Sequence, residues 1–486
     1  MSEITNLKPM AVWKHFDNIC SIPHPSKHEE KLRESLIRFA KEQKLEYLVD
    51  ETGNLIIKKP ASAGMENRKG VILQAHLDMV PQKNNDTKHD FENDPIQPYI
   101  DGEWVRAKGT TLGADNGIGV SAALAVLEDK TLVHPALEVL LTIDEETGMT
   151  GAFGLKPDLL KGEILMNLDS ETEGELYVGC AGGIDATISL DFHTETIKNT
   201  FSTFDLSVKG LKGGHSGMDI ILQRGNANKI LFRILNILEE LNVVCHVCEV
   251  NGGSLRNAIP REATAKIAIA GMNVAKVRSI IEEESAKICN ELSITDPDLQ
   301  ITLLPCEQAK YAMRRAKLQK FIRLVYGLPN GVYRMSDSMP NLVETSSNLA
   351  IVKMEDNRAT VSCLLRSSVD SSKEDLVNMM KAIALNASAE AEFTGGYPGW
   401  KPNMDSAILS LMKQTYKKLY NKEAKVMAIH AGLECGLLGG VYPNWDMISF
   451  GPTIQSPHSP DERVNIKSVG LFWQFLTETL KNIPVK

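Results

Sequence analysis

Val71-Ile-Leu-Gln-Ala-His76-Leu-Asp78 is an apolar run that closes on a histidine and an aspartate. Short apolar runs bounded by Gly, Asp and Glu are how buried parallel strands read, and residues 71–75 form one. Residues 54–58, 137–143 and 164–168 read the same way, and 117–127 reads as an Ala-rich helix among them. Such alternation of strand and helix implies an α/β sheet. His76 follows its strand, Asp144-Glu145-Glu146 follows the next, and Asp169 follows a third. Beyond the carboxyl ends of its strands is where an open α/β sheet gathers ligands. Residues 447–450 are one more short strand, a Gly/Pro/Ser loop then carries His458, and 466–480 is an amphipathic helix expected to pack on the sheet.

Five blocks carry the chemistry: Gln-Ala-His76-Leu-Asp78, Gly-Ala-Asp115-Asn-Gly, Asp-Glu145-Glu146-Thr-Gly, Asn-Leu-Asp169-Ser-Glu and Ser-Pro-His458-Ser-Pro-Asp-Glu. Two histidines with several carboxylates suit a pair of divalent ions such as zinc, whose bound hydroxide can cleave an amide. His76 and Asp78 face the same way in an extended segment, so Asp78 can fix the tautomer of a ligating His76. Asp115 lies among glycines just ahead of a helix, a setting that also suits a plain N-cap. Glu145 and Glu146 are adjacent, so their side chains diverge. One can bind metal while the other stays free to take a proton from water.

The middle, residues 186–399, reads as a separate α+β domain inserted into a metal-site domain of residues 1–185 and 400–486. Strand 204–208, helix 228–241, strands 243–250 and 264–270 and helix 275–288 form a first stretch. Strand 300–304, helix 318–326, strands 348–354 and 359–365, helix 373–385 and strand 390–393 form a second. The order of elements repeats without residue identity. Each half resembles a β-α-β-β-α unit, an antiparallel sheet with helices on one face.

Composition removes other classes. The 53 basic and 62 acidic residues give a net charge of −9 with no Lys/Arg-rich block, which argues against a nucleic-acid partner. No apolar run reaches the length of a membrane span, and the first residues lack a signal-peptide pattern. Eight scattered cysteines form no disulfide framework, so a cytoplasmic location is expected. Cys245-His-Val-Cys248 stands alone and reads as two reduced thiols in a strand, because a structural zinc site needs four ligands.

In order and spacing these motifs resemble the di-zinc aminoacylase/carboxypeptidase G superfamily of metallopeptidases. Ile22-Pro-His-Pro-Ser-Lys-His-Glu-Glu, Gln74-Ala-His-Leu-Asp-Met-Val and His430-Ala-Gly-Leu-Glu-Cys-Gly are similar to its bacterial branch acting on aminoacyl-histidine dipeptides. The resemblance implies a catalytic domain with a mixed sheet and helices on both faces, plus a lid. It implies two zinc ions per chain, with manganese or cobalt as substitutes. Asp115 would bridge them, His76 and Asp169 would complete one site, and Glu146 and His458 the other. Glu145 would be the general base, Asp78 the orienting carboxylate and His215 the oxyanion donor. Asn257, Arg366 and Glu434 would bind substrate, and the Asp115–Asn116 peptide would be cis. By spacing alone His215 also reads as a turn residue, Arg366 as a surface ion pair and Glu434 as a hydrogen-bonded structural carboxylate. Relatives with a lid half as long dimerise through it. A homodimer is therefore compatible, with His215 serving its own chain or its partner's. The implied activity is hydrolysis of unblocked dipeptides, including Xaa-His. N-acyl-amino-acid amidohydrolase and tripeptide aminopeptidase are the alternatives within the family, and a non-catalytic binding protein the alternative outside it.

Overall fold

The computed structural model describes residues 2–243 and 245–486; Val244, in the strand expected over 243–250, lies outside the described residues. The chain forms two compact units. The first comprises Met1–Gly179, Pro402–Ala428 and Leu433–Lys486, and the second Cys180–Lys401 and Ile429–Gly432.

The first unit is built on an eight-stranded mixed sheet. Its order is Glu46–Val49, Leu55–Lys59, Leu137–Thr142, Val71–His76, Ile164–Asn167, Asp446–Ser449, Glu175–Cys180 and Lys425–Ile429. The central four strands are parallel, and the pairings outside them that are resolved are antiparallel. Val71–His76, Leu137–Thr142 and Ile164–Asn167 are buried at every position. Their Val, Ile and Leu side chains each contribute about 1.5–3 kcal/mol by leaving water, which is why apolar runs of this kind settle at the centre. The helix Ala114–Glu128 packs against Val71–His76 and is apolar nearly all round, as a helix covered on every side must be. Its first turn is irregular at Asp115 and Asn116, and the peptide between them is cis. The mixed α/β architecture expected from the strand–helix alternation is present.

A second sheet of this unit went unread in the sequence. Ile454–Gln455, Arg463–Asn465, Trp104–Ala107 and Pro98–Asp101 form a four-stranded antiparallel ribbon. Its strands are two to four residues long, too short to show an alternation.

The second unit is built on a nine-stranded antiparallel sheet, with two two-stranded ribbons beside it in the chain. The order of the large sheet is Gln300–Pro305, Phe201–Lys209, Ala263–Ala270, Cys245–Gly252, Val343–Glu355, Arg358–Ser367, Gly182–Asp191 and Glu390–Tyr397, with Gly331–Met335 beside Val343–Glu355. Helices Ala227–Glu240, Val274–Glu291, Arg315–Gly327 and Asp370–Ala387 share a single apolar core with it. One allotment changes. Gln300–Pro305 does not open the second half but pairs with Phe201–Lys209 of the first. The strand beside Arg358–Ser367 is instead Gly182–Asp191, which precedes both halves in the chain. Linear order cannot show this, because a strand's partner is set by long-range packing rather than by its neighbours in sequence.

Cys245 and Cys248 lie in the strand Cys245–Gly252 as free thiols. Burial pushes both up to about 12, so they are protonated and inert.

Candidate metal centre

The parallel strands deliver their carboxyl ends to one place. Val71–His76 ends on His76, Leu137–Thr142 leads into Asp144-Glu145-Glu146, and Ile164–Asn167 leads to Asp169. The four-stranded ribbon supplies the rest. Trp104–Ala107 leads into the loop before Asp115, and the connection between Ile454–Gln455 and Arg463–Asn465 carries His458.

His76 Nε2 lies 3.2 Å from Asp115 Oδ1 and 3.2 Å from Asp169 Oδ1. His458 Nε2 lies 3.2 Å from Asp115 Oδ2 and 3.0 Å from Glu146 Oε2. Each oxygen of Asp115 therefore faces its own histidine–carboxylate pair. In a tetrahedral ion site with bonds of about 2.0–2.2 Å, neighbouring donors sit about 3.3–3.6 Å apart, and these spacings come close to that. Among the described residues Glu146 Oε1 is buried without a hydrogen-bond partner, and buried Asp169 Oδ1 has only its contact with His76. Buried carboxylate oxygens left this way need a positive charge. The histidines report the same field. Burial pulls His76 down, but Asp169, Asp115 and Asp78 outweigh it and hold it well above its usual value. Hydrogen bonds to Asp115 and Glu146 push His458 up to about 11. The donor set fits a pair of divalent cations.

Buried groups behind the donors grip the loops by their amides. Asp78 Oδ1 accepts from Glu145 N at 2.9 Å, and its Oδ2 accepts from Glu146 N at 3.1 Å and Ser26 Oγ at 2.8 Å. His76 Nδ1 lies 3.0 Å from the Asp78 carbonyl and 3.4 Å from Oδ1, so the main chain makes the shorter contact. Glu29 Oε1 accepts from Asp144 N at 3.0 Å. Glu462 accepts from four successive amides, Leu112 to Asp115. Asn116 Nδ2 donates to Leu168 O at 2.8 Å, beside Asp169. A Cβ at Gly119 would stand 2.7 Å from that carbonyl, so the close approach needs glycine.

Glu145 is partly exposed and makes no side-chain hydrogen bond among the described residues. Burial, reinforced by Asp169, Glu434 and Glu146, raises it well above the usual carboxylate range, against the pull of His76. Glu434 is 1% exposed. Its Oε2 accepts from Gln74 Nε2 at 2.6 Å and Thr142 Oγ1 at 2.8 Å, while Oε1 is buried without a partner. Gln74 also accepts from Asn167, which accepts from Ser449, so a polar chain crosses the strand ends. Ser26, Glu29 and Glu462 lay inside quoted motifs without an assigned role.

The second unit carries the other three residues. His215 pairs with Ala258 in a two-stranded ribbon, and Ser216 N donates to Asn257 O at 2.8 Å, so His215 and exposed Asn257 share one ribbon. His215 Nδ1 accepts from Gly217 N at 3.2 Å and Met218 N at 3.1 Å. Its proton therefore sits on Nε2. Burial, then Arg366, lowers its pKa, which keeps the ring neutral. Arg366 is 6% exposed and donates to Tyr397 OH at 3.2 Å. Its Nε is buried without a partner, and among the described residues no carboxylate pairs with it. The reading of Arg366 as a surface ion pair does not hold. Buried His430 meets Ser346 Oγ at 2.7 Å, and burial, then Arg366, lowers it to about 3.

Residues 72–482 match the family model described as peptidase family M20/M25/M40. The chain is 53% identical to the cytosol non-specific dipeptidase of Escherichia coli K12, covering 100% of both. The crystal structure of the aminoacylhistidine dipeptidase from Vibrio alginolyticus matches with a TM-score of 0.96 and 52% identity, covering 100% of this chain and 99% of that one. A tripeptidase from Staphylococcus aureus, at 15% identity, a TM-score of 0.56 and coverage of 98% and 99%, shares the fold alone. The resemblance read from the motifs holds, and the chain belongs to peptidase family M20/M25/M40.

Proposed function

We propose that this protein is a cytoplasmic, metal-dependent dipeptidase that hydrolyses unblocked dipeptides, including Xaa-His substrates, with two zinc ions per chain. The observation that carries the reading is Asp115, whose two oxygens each face a separate histidine–carboxylate pair. His76 and Asp169 would hold one ion, and Glu146 and His458 the other. Manganese and cobalt accept the same donors. The names of the two full-length relatives support the substrate class. The word cytosol in one of those names supports the location. Among the described residues no helix is long and apolar enough to cross a membrane.

When bound, such ions supply Lewis-acid polarisation of the scissile carbonyl and a water acidified toward neutral pH. Glu145, raised in pKa and with a carboxylate that makes no hydrogen bond among the described residues, takes the proton of the attacking water and returns it to the leaving amine. Asp78 orients His76 and the Glu145–Glu146 turn. His215, neutral with its proton on Nε2, donates to the oxyanion. Arg366 and Asn257 bind the substrate carboxylate, which the unpaired guanidinium supports. Glu434 accepts the free amine through its unpartnered Oε1. In this reading residues 1–185 and 400–486 are the catalytic domain and 186–399 the lid.

The test is hydrolysis by zinc-reconstituted protein of Ala-His, β-Ala-His, Ala-Ala, Ala-Ala-Ala and N-acetyl-Ala, with a chelator control. Chelator-sensitive cleavage confined to the dipeptides is expected. Cleavage of the tripeptide or the acetylated compound would move the assignment to an aminopeptidase or an amidohydrolase. No cleavage at all would leave a binding protein.

A further inference from the structure

The His458 loop and the Asp115 loop meet at one buried side chain that the mechanism does not use. Glu462 is 2% exposed and follows His458 by four residues in the same hairpin connection. Its Oε2 accepts from Leu112 N at 2.7 Å and Gly113 N at 2.9 Å, and its Oε1 from Ala114 N at 2.8 Å and Asp115 N at 3.2 Å. Four successive amides converging on one carboxyl group form a nest, a concavity of backbone N–H groups built by a turn in the left-handed region. Gly113 supplies that turn at φ +71. The neighbouring residue fixes the register, since Arg463 pairs with Arg106 in the ribbon.

We propose that Glu462 is a positioning residue that locks the Asp115 loop to the His458 loop and so sets the affinity of the metal pair. The inference rests on the two-metal reading above. Both carboxylate oxygens are needed because each takes two N–H groups. An amide would turn a donor toward two of the four, and a shorter side chain could not span them. A residue that only stabilised the fold would leave the donors of the folded protein in place and metal affinity unchanged.

The experiment compares wild type, Glu462→Gln and Glu462→Asp, each stripped of metal. Zn2+ is titrated against a chromophoric chelator, the visible spectrum of the Co2+-loaded protein is recorded, and the melting temperature of the metal-free protein is measured. The expected result is at least about tenfold weaker zinc binding in Glu462→Gln with an altered Co2+ spectrum, and a smaller loss in Glu462→Asp. Glu462→Gln that binds two zinc ions with wild-type affinity and spectrum overturns the proposal, whatever its metal-free stability. If Glu462→Gln does not fold, wild-type affinity in Glu462→Asp overturns it. Wild type that binds fewer than two ions overturns the two-metal reading itself, and this inference with it.

Discussion

The amide of Glu145 donates to Asp78 Oδ1 at 2.9 Å, and the same oxygen lies 3.4 Å from His76 Nδ1. One buried carboxylate thus stands behind a proposed ligand and a proposed base. Asp78→Asn would turn a donor toward one of these amides. We expect metal affinity and kcat each to fall about 10–100-fold, read by metal analysis after dialysis and by steady-state kinetics.

Glu145→Gln keeps the shape of the side chain and removes its basicity. The expected outcome is a loss of kcat of about 10³-fold or more with metal content unchanged. Turnover that survives the change would remove Glu145 as the general base.

His215 holds its proton on Nε2 because Gly217 N and Met218 N occupy Nδ1. For His215→Ala we expect kcat to fall about 10²–10³-fold with KM nearly unchanged, as for loss of an oxyanion donor. Mixing His215→Ala with Glu145→Gln protein decides which chain His215 serves: no recovery of activity assigns it to its own chain, and recovered activity places it across a dimer.

Arg366 is buried with no carboxylate partner among the described residues. Arg366→Lys loses the bidentate fork and should raise KM for dipeptides at least about tenfold. A C-terminally amidated dipeptide should be cleaved equally poorly by both proteins. Unchanged KM for free dipeptides would remove Arg366 from the carboxylate site.

His430 carries a pH prediction. Burial lowers it to about 3 from 6.5, so the folded chain binds fewer protons than the unfolded chain between those values. Its contribution is present above pH 6.5 and is lost as pH falls toward 3. Between pH 7 and 4.5 the loss from this residue is on the order of 2–3 kcal/mol. Metal-free His430→Gln should lose less stability over that interval than wild type, measured by urea denaturation. Parallel losses would show that His430 is not what destabilises the chain in acid.

Much of the centre was legible because its signals are local. An apolar run such as Val71–Ala75 has to be buried, and a polar residue at its end has to lie at the sheet's edge. The runs ending at His76, before Glu145 and before Asp169 therefore marked their residues without a structure. His458 and Asp115 were legible through Gly- and Pro-rich loops. Glu462 was not, since nothing in Ser-Pro-Asp-Glu says that four amides more than three hundred residues earlier converge on it.

The amino-acid sequence by itself determined which strands are buried, which loops follow them and which side chains can bind metal, because hydrophobic pattern and turn chemistry act over a few residues. Only the tertiary structure decided that Gln300–Pro305 pairs with Phe201–Lys209, that Arg366 is buried without a counter-charge and that Glu434 lies on a polar chain with Gln74. Pairing, register and desolvation depend on which distant segments meet, and that is settled by the packing of the whole core rather than by any one segment's composition.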